Sequence, residues 1–195
     1  MRSLLACGFC AAAVLLAGPF FRRDGVAAGT AIRLDVPQLA YNAGLIVEGR
    51  VLSAETVEVD GLVATEYLIA IDQTFYGSER GYRTVRLPGG VREDGSGLML
   101  AGMPVVTPGD RSLLFLSDES ANGLRMPVGL AQGKFDIVRL ADGSKRLVRD
   151  SANVTLIHPK TGSITHTLGR SVYDYGQVVA EIETGVARKR RGKKR

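Results

Sequence analysis

"GLVATEYLIAIDQTFYG", residues 61–77, alternates its side chains in a way that decides how the chain is read. Val63, Thr65, Tyr67, Ile69 and Ile71 fall on one side of an extended backbone, because successive strand side chains point to opposite faces. Nearly all are β-branched or aromatic, the types that pack well on a pleated surface. The stretch therefore predicts a long strand against a core. Just before it, "GLIVEGRVLSAE" (44–55) sets Leu45, Val47, Gly49 and Val51 against Ile46, Glu48, Arg50 and Leu52, the pattern of a half-buried strand.

Working outward, the same signals recur in shorter pieces. "YRTVRLPGG" (82–90) is a strand stopped by Pro88 and two glycines, and "REDGSG" after it is a polar loop. "RSLLFLSDE" (111–119) holds Leu113, Leu114, Phe115 and Leu116 in succession, so both faces are apolar and the strand is expected to be central. Its entry, "TPGD", has the Pro-Gly centre of a tight turn. "LRMPVGL" (124–130), "GKFDIVRL" (133–140) and "KRLVRD" (145–150) continue the strands, the last two joined at the Asp142-Gly143 hairpin signal. "DVPQLAYNA" (35–43) predicts a short helix with Asp35 as cap and Pro37 in its first turn. "SVYDYGQVVAEIETGV" (171–186) places Val172, Val179 and Ile182 at helical spacing and predicts a second helix ending before Gly185, weakened by Gly176. The expected fold is mainly β: six to seven strands in a small closed or partly open β-barrel of OB-like form, or a sandwich, with a short N-terminal helix and a C-terminal helix.

The ends of the chain differ from its middle. An uncharged apolar run, "LLACGFCAAAVLLAG" (4–18), follows Arg2 and has the form of a secretory signal. It is shorter than the roughly 20 residues of a spanning helix, and its extension through Phe20 and Phe21 leaves an uncleaved anchor as the alternative. Cleavage after "VAA" makes residues 1–28 the signal peptide and Gly29 the first mature residue. Cys7 and Cys10 are the only cysteines, and as part of that signal they leave the mature domain without a thiol or disulfide. The expected location is periplasmic or extracellular.

The 195-residue chain carries 25 Lys and Arg against 20 Asp and Glu, a formal charge of +5. That basicity is not spread. Seven cations lie in "RKRRGKKR" (188–195) and three more precede residue 29, so residues 29–187 hold 15 basic against 19 acidic side chains. The body, a single β-rich domain over 29–187, offers no compositional support for a specific nucleic-acid groove. Residues 188–195 are expected to form a disordered, self-repelling tail whose removal leaves folding unchanged. Its candidate contacts to polyanions are Arg188, Lys189, Arg190, Arg191, Lys193, Lys194 and Arg195, with phosphate-rich envelope polymers or anionic lipid surfaces as partners. A second candidate, for a protein partner, is the loop "GGVREDGSGLMLAGM" (89–103), whose Leu98, Met99 and Leu100 read as exposed apolar residues among flexible glycines.

"LIVEGRV", "LPGG", "GMPVVTPGDRSLLFL" and "VGLAQGKFDIV", in this order over residues 44–138, resemble a group of uncharacterised exported bacterial proteins, some of them joined to or near matrixin-like peptidase domains. The arrangement is also distantly similar to the OB-like barrels of netrin-like and metalloproteinase-inhibitor domains. Those inhibitors present an N-terminal cysteine to a metal, and the expected mature chain has none. The resemblance implies a fold more than a reaction.

Catalytic patterns are incomplete. His158 and His166, eight apart in "IHPKTGSITH", could face each other across a hairpin, but a third ligand is not identifiable and no metal or other cofactor is assigned. Ser96 and Ser171 lack the Gly-x-Ser-x-Gly elbow. Glu48 and Glu66 could meet across paired strands, although alternation assigns both to solvent-facing positions. The reading that follows is an exported, non-enzymatic binding or accessory module with a polyanion-attracting tail. A secreted modulator of an extracellular peptidase is the first alternative, and a hydrolase with an unrecognised site the second.

Overall fold

A computed structural model describes residues 29–166 and 169–193, without the side chain of His166. The expected signal peptide, with its Cys7 and Cys10, lies outside the described residues, as do Lys194 and Arg195. The chain runs through β1 (Gly29–Ile32), α1 (Val36–Asn42), β2 (Leu45–Val59), β3 (Leu62–Tyr76), β4 (Gly81–Pro88), β5 (Gly90–Val91), β6 (Gly97–Leu98) and β7 (Arg111–Leu116). After a 3-10 turn at Leu130–Gly133 come β8 (Lys134–Arg139), β9 (Lys145–Asp150), β10 (Val154–Ile157), β11 (Ile164–His166), β12 (Arg170–Asp174) and α2 (Tyr175–Gly192).

The fold is mainly β. Seven strands form one antiparallel sheet in the order β12-β9-β8-β7-β2-β3-β4, with β7 at its centre. Its two edge strands are not paired with each other, so the closed barrel is not formed. A three-stranded sheet, β1-β10-β11, stands beside it and contains the parallel pair β1 and β10.

Local chemistry explains the elements that matched expectation. Asp35 accepts the Gln38 N–H at 2.8 Å while Gln38 Oε1 accepts the Asp35 N–H at 2.9 Å, a reciprocal cap that starts α1. The long β2–β3 hairpin turns on Asp60 (φ 50°) and Gly61 (φ 78°), two left-handed residues as a tight hairpin requires. The Asp142-Gly143 turn joins β8 to β9 as its sequence predicts, with Leu140 N–H donating to Ser144 O at 2.9 Å.

Both faces of the sheet are covered, which corrects the half-buried reading of β2: its first five residues, 45–49, are all buried. On one face α1 and α2 pack over Ile46, Leu113, Phe115, Phe135 and Leu147. On the other, Leu45, Val47, Ile69, Leu114 and Leu116 meet Val106 and Met103 from the segment that leads into β7. "LRMPVGL" is not a strand. Its backbone makes only single bridges, Leu124 to Arg86 and Pro127 to Leu116.

The C-terminal helix also departs from expectation at both ends. Val172 belongs to β12 and is 67% exposed. Asp174 caps the helix by accepting the Gln177 N–H at 3.0 Å, and the helix then runs through Gly185 to Gly192. Gly185 does not end the helix; it is the point where the two helices touch. A Cβ there would lie 2.4 Å from Pro37 O and 2.7 Å from Ala40 Cβ. Replacing Gly185 by Ala is therefore expected to cost about 1–3 kcal/mol by overpacking, despite the better helix propensity of Ala. Urea denaturation checks this, with Gly192→Ala, whose new methyl meets nothing closer than Tyr41 Oη at 3.8 Å, expected to be neutral or mildly stabilising.

Candidate functional site

The expected disordered tail is, as far as Lys193, the end of a packed helix. Helix α2 continues through Arg188, Lys189, Arg190 and Arg191 because its buried stripe of Val178, Ile182 and Val186 is held on the core and α1 lies alongside. Cations in a last turn also oppose the partial negative charge of the helix C-terminus. Lys189 turns inward: its ammonium donates to the Ala43 carbonyl at the end of α1 and sits 4.8 Å from the Tyr76 ring centroid. Arg188 lies 5.2 Å over the Tyr41 ring, and Lys193 donates to Tyr76 Oη at 3.4 Å.

Arg188, Arg190, Arg191 and Lys193 are exposed. Among the described residues no carboxylate lies within salt-bridge distance of them. The site is thus four outward cations on a helix end whose position is fixed by a fifth. Removing residues 188–195 would take with it Lys189, which packs against the Ala43 carbonyl and the Tyr76 ring.

The second candidate surface is not assembled as the sequence suggested. β5 and β6 form a small hairpin, Gly90 opposite Leu98 and Val91 opposite Gly97. Its turn is closed by Asp94, which accepts the Ser96 N–H at 2.8 Å and the Ser96 hydroxyl at 2.6 Å. Thr56 and Thr65 donate to the carbonyls of Val91 and Gly89 at 2.8 and 2.7 Å, strapping the segment to the β2–β3 arm. Leu98 and Leu100 are half-buried, and of the three only Met99, 72% exposed, faces solvent.

The histidines do form a hairpin end, with His158 N–H donating to Ser163 O at 2.9 Å. His158 is spent on its own turn, where Nδ1 meets the Thr161 N–H at 3.2 Å and the Thr161 hydroxyl at 3.0 Å. His166 pairs with Thr155, three residues before His158, so the register does not set the two histidines opposite each other.

Sequence reasoning missed a buried carboxylate. Glu48 is 3% exposed, not solvent-facing, and its register partner on β3 is Gln73 while Glu66 pairs with Arg86. Lys145 Nζ lies 2.6 Å from Glu48 Oε1, and the Tyr175 hydroxyl donates to Oε2 at 2.6 Å. The Lys145 ammonium also stands 4.5 Å from the centroid of the Tyr175 ring. Burial and the adjacent Glu48 carboxylate push the Tyr175 hydroxyl well above its ordinary value of 10.0. The triad joins β2, β9 and the start of α2.

A cleft of about 440 Å³ opens near β8 and the loop after Met103, and is lined by Asp110, Asp136, Asp150, Lys134 and Arg170. Its charges are already engaged. Lys134 donates to Val105 O at 2.6 Å and bridges Asp136 at 2.7 Å and Asp110 at 3.4 Å, while Arg170 holds Asp150 at 3.2 Å. No known protein family matches the sequence, and no curated protein is significantly similar to it.

Two outcomes follow for the triad. Glu48→Ala leaves the Lys145 ammonium without its carboxylate and is expected to destabilise the fold by about 3 kcal/mol, the low end for a broken buried pair because Lys145 is partly solvated; urea unfolding measures it. The folded chain holds the Tyr175 proton where an unfolded chain releases it. Stability is therefore expected to be fully present below pH 10 and to fall as pH rises beyond it. Comparing unfolding of the wild type and Tyr175→Phe between pH 9 and 11 checks this, the variant losing less.

Proposed function

We propose that the chain is an exported, non-enzymatic binding module that docks on a polyanionic surface, an envelope polymer or anionic lipid headgroups, through the exposed end of its C-terminal helix. One observation carries this reading: Arg188, Arg190, Arg191 and Lys193 are exposed, with no carboxylate within salt-bridge distance among the described residues, on a helix that Lys189 and the core hold in place. Cations presented this way lose less conformational freedom on binding than cations on a loose chain. The acidic balance of residues 29–187 concentrates the attraction at that end. An open sheet covered by two helices suits a scaffold role without requiring the OB-like topology. The resemblance to exported proteins near matrixin-like peptidases, and with it the peptidase-modulator alternative, rests on the sequence motifs alone.

The test separates the outward cations from the inward one. Full-length protein and an Arg190→Gln/Arg191→Gln/Lys193→Gln variant are titrated against heparin and anionic vesicles across a salt series. At about 1 kcal/mol for each cation near a charged surface, the variant is expected to bind roughly a hundredfold more weakly at low salt, with an unchanged melting temperature. Lys189→Gln is expected to lower the melting temperature instead. Equal, salt-resistant binding by wild type and triple variant would place the contact elsewhere and overturn the proposal.

A further inference from the structure

The two edges of the seven-stranded sheet are finished differently. At one edge the second half of β4 is covered: Arg86 bridges Leu124, and the Arg125 N–H donates to Arg86 O at 2.9 Å. At the other edge lies β12, and among the described residues no strand pairs with its outer side. Val172, in the middle of that strand, is 67% exposed. An uncovered strand edge is a template for another strand.

The ladder fixes which backbone groups this edge offers. Antiparallel strands alternate hydrogen-bonded and non-bonded residue pairs. Leu140 N–H donates to Ser144 O at 2.9 Å, so along the unbroken β8–β9 register Arg146 and Val148 turn their backbone groups to β8, while Leu147 and Arg149 turn theirs to β12. Their partners on β12 are Tyr173 and Ser171. Arg170, Val172 and Asp174 therefore point their N–H groups outward, and the carbonyls of Arg170 and Val172 go with them. The same three residues share one face of the sheet, opposite the face on which Tyr173 packs against the helix-covered core. There β12 already pairs with β9 by matched chemistry: Arg170 lies 3.2 Å from Asp150, Val172 faces Val148, and Arg146 donates to Asp174.

We propose that the chain forms a two-fold symmetric dimer in which β12 pairs antiparallel with β12 of a second copy, centred on Val172. The strand, "RSVYD" (170–174), is its own complement in that register: Val172 meets Val172 of the second copy, Arg170 meets its Asp174, and Asp174 meets its Arg170. The matched chemistry of the β9–β12 seam is thereby repeated across the new one, with opposite charges alternating along each row of four strands and valines between them. The bonded pairs of the new ladder fall on the residues whose N–H groups are free. A two-fold contact requires a patch complementary to itself, and this charge pattern singles out a second copy as the occupant. The dimer rests on the sheet edge alone and does not depend on the cationic helix end.

The experiment is sedimentation equilibrium of the chain recovered from an exporting host, over about 1–500 µM, beside amide hydrogen exchange at both ends of that range. A seam of five residues is small, so a monomer–dimer equilibrium with Kd of about 10–100 µM is expected. Exchange at the Val172 amide should slow as concentration rises, while Ser171 and Tyr173, already bonded to β9, stay unchanged. Val172→Pro removes an outward N–H and no ladder bond of the monomer, and is expected to abolish the dimer. Arg170→Glu sets a like charge against Asp174 of the second copy at each end of the seam and is expected to weaken association by about tenfold or more. The Arg170 side chain is 76% exposed, so that variant tests the seam even if Val172→Pro folds poorly. A chain that stays monomeric throughout, a dimer whose Val172 amide exchanges as fast as the monomer's, or association that Arg170→Glu leaves unchanged would overturn the proposal.

Discussion

Strand β7 is apolar on both faces, and most of the architecture answers that constraint. Leu113 and Phe115 point one way, Leu114 and Leu116 the other, and each of the four is at most 3% exposed. Such a strand cannot lie at an edge or face water, so three strands stand on either side and a layer closes over each face. The two helices form one layer. The loop segment with Met103 and Val106 forms the other, and the long excursion between β4 and β7 is the chain's route to it. Burying these side chains contributes on the order of 1.5–3 kcal/mol each, which is why the sheet rather than the helices organises the domain.

Within that frame the buried polar groups act as joints between layers. Glu48 ties the helix layer to the sheet. Gln132, fully buried, accepts the Leu34 N–H at 2.9 Å and donates to Ile32 O and Gly129 O at 3.0 Å each, so one side chain closes the gap between β1, α1 and the 3-10 turn. Lys134 does the same for the loop at Val105. Each is satisfied on several sides, as a group removed from water must be to avoid a large penalty. Their arrangement also fixes which way the helices point, and so where the outward cations of α2 end up.

What the sequence revealed was local. The Asp35 cap, the alternation in residues 61–77, the doubled apolar faces of β7 and the Asp142-Gly143 turn are each decided by neighbours a few positions apart. The features that escaped depend on contacts between distant segments. Glu48 looks like a solvent-facing residue on an alternating strand until Lys145 and Tyr175 arrive from the other end of the chain. Gly185 looks like a helix stop until Pro37 and Ala40 need the space its missing side chain leaves. The cations at 188–193 have the composition of a disordered tail, yet the apolar stripe of Val178, Ile182 and Val186 carries the helix into them. The openness of the sheet was equally hidden, because strand patterns specify which faces are apolar and not whether the first and last strands meet.

The parallel pair β1 and β10 sets an order of events. Gly29 to Ile32 align with Val154 to Ile157, and a Cβ on Gly29 would lie 2.4 Å from Ala101 O, so the buried start of β1 is closed in by segments made long after it. Parallel pairing across such a stretch of chain carries a closure cost that only a largely formed partner can offset. As the chain emerges during synthesis, β1 therefore has to wait for its partner strand before it can be seated. Until then it remains uncommitted, whereas β2 and β3 pair across a two-residue turn and need no distant segment to meet.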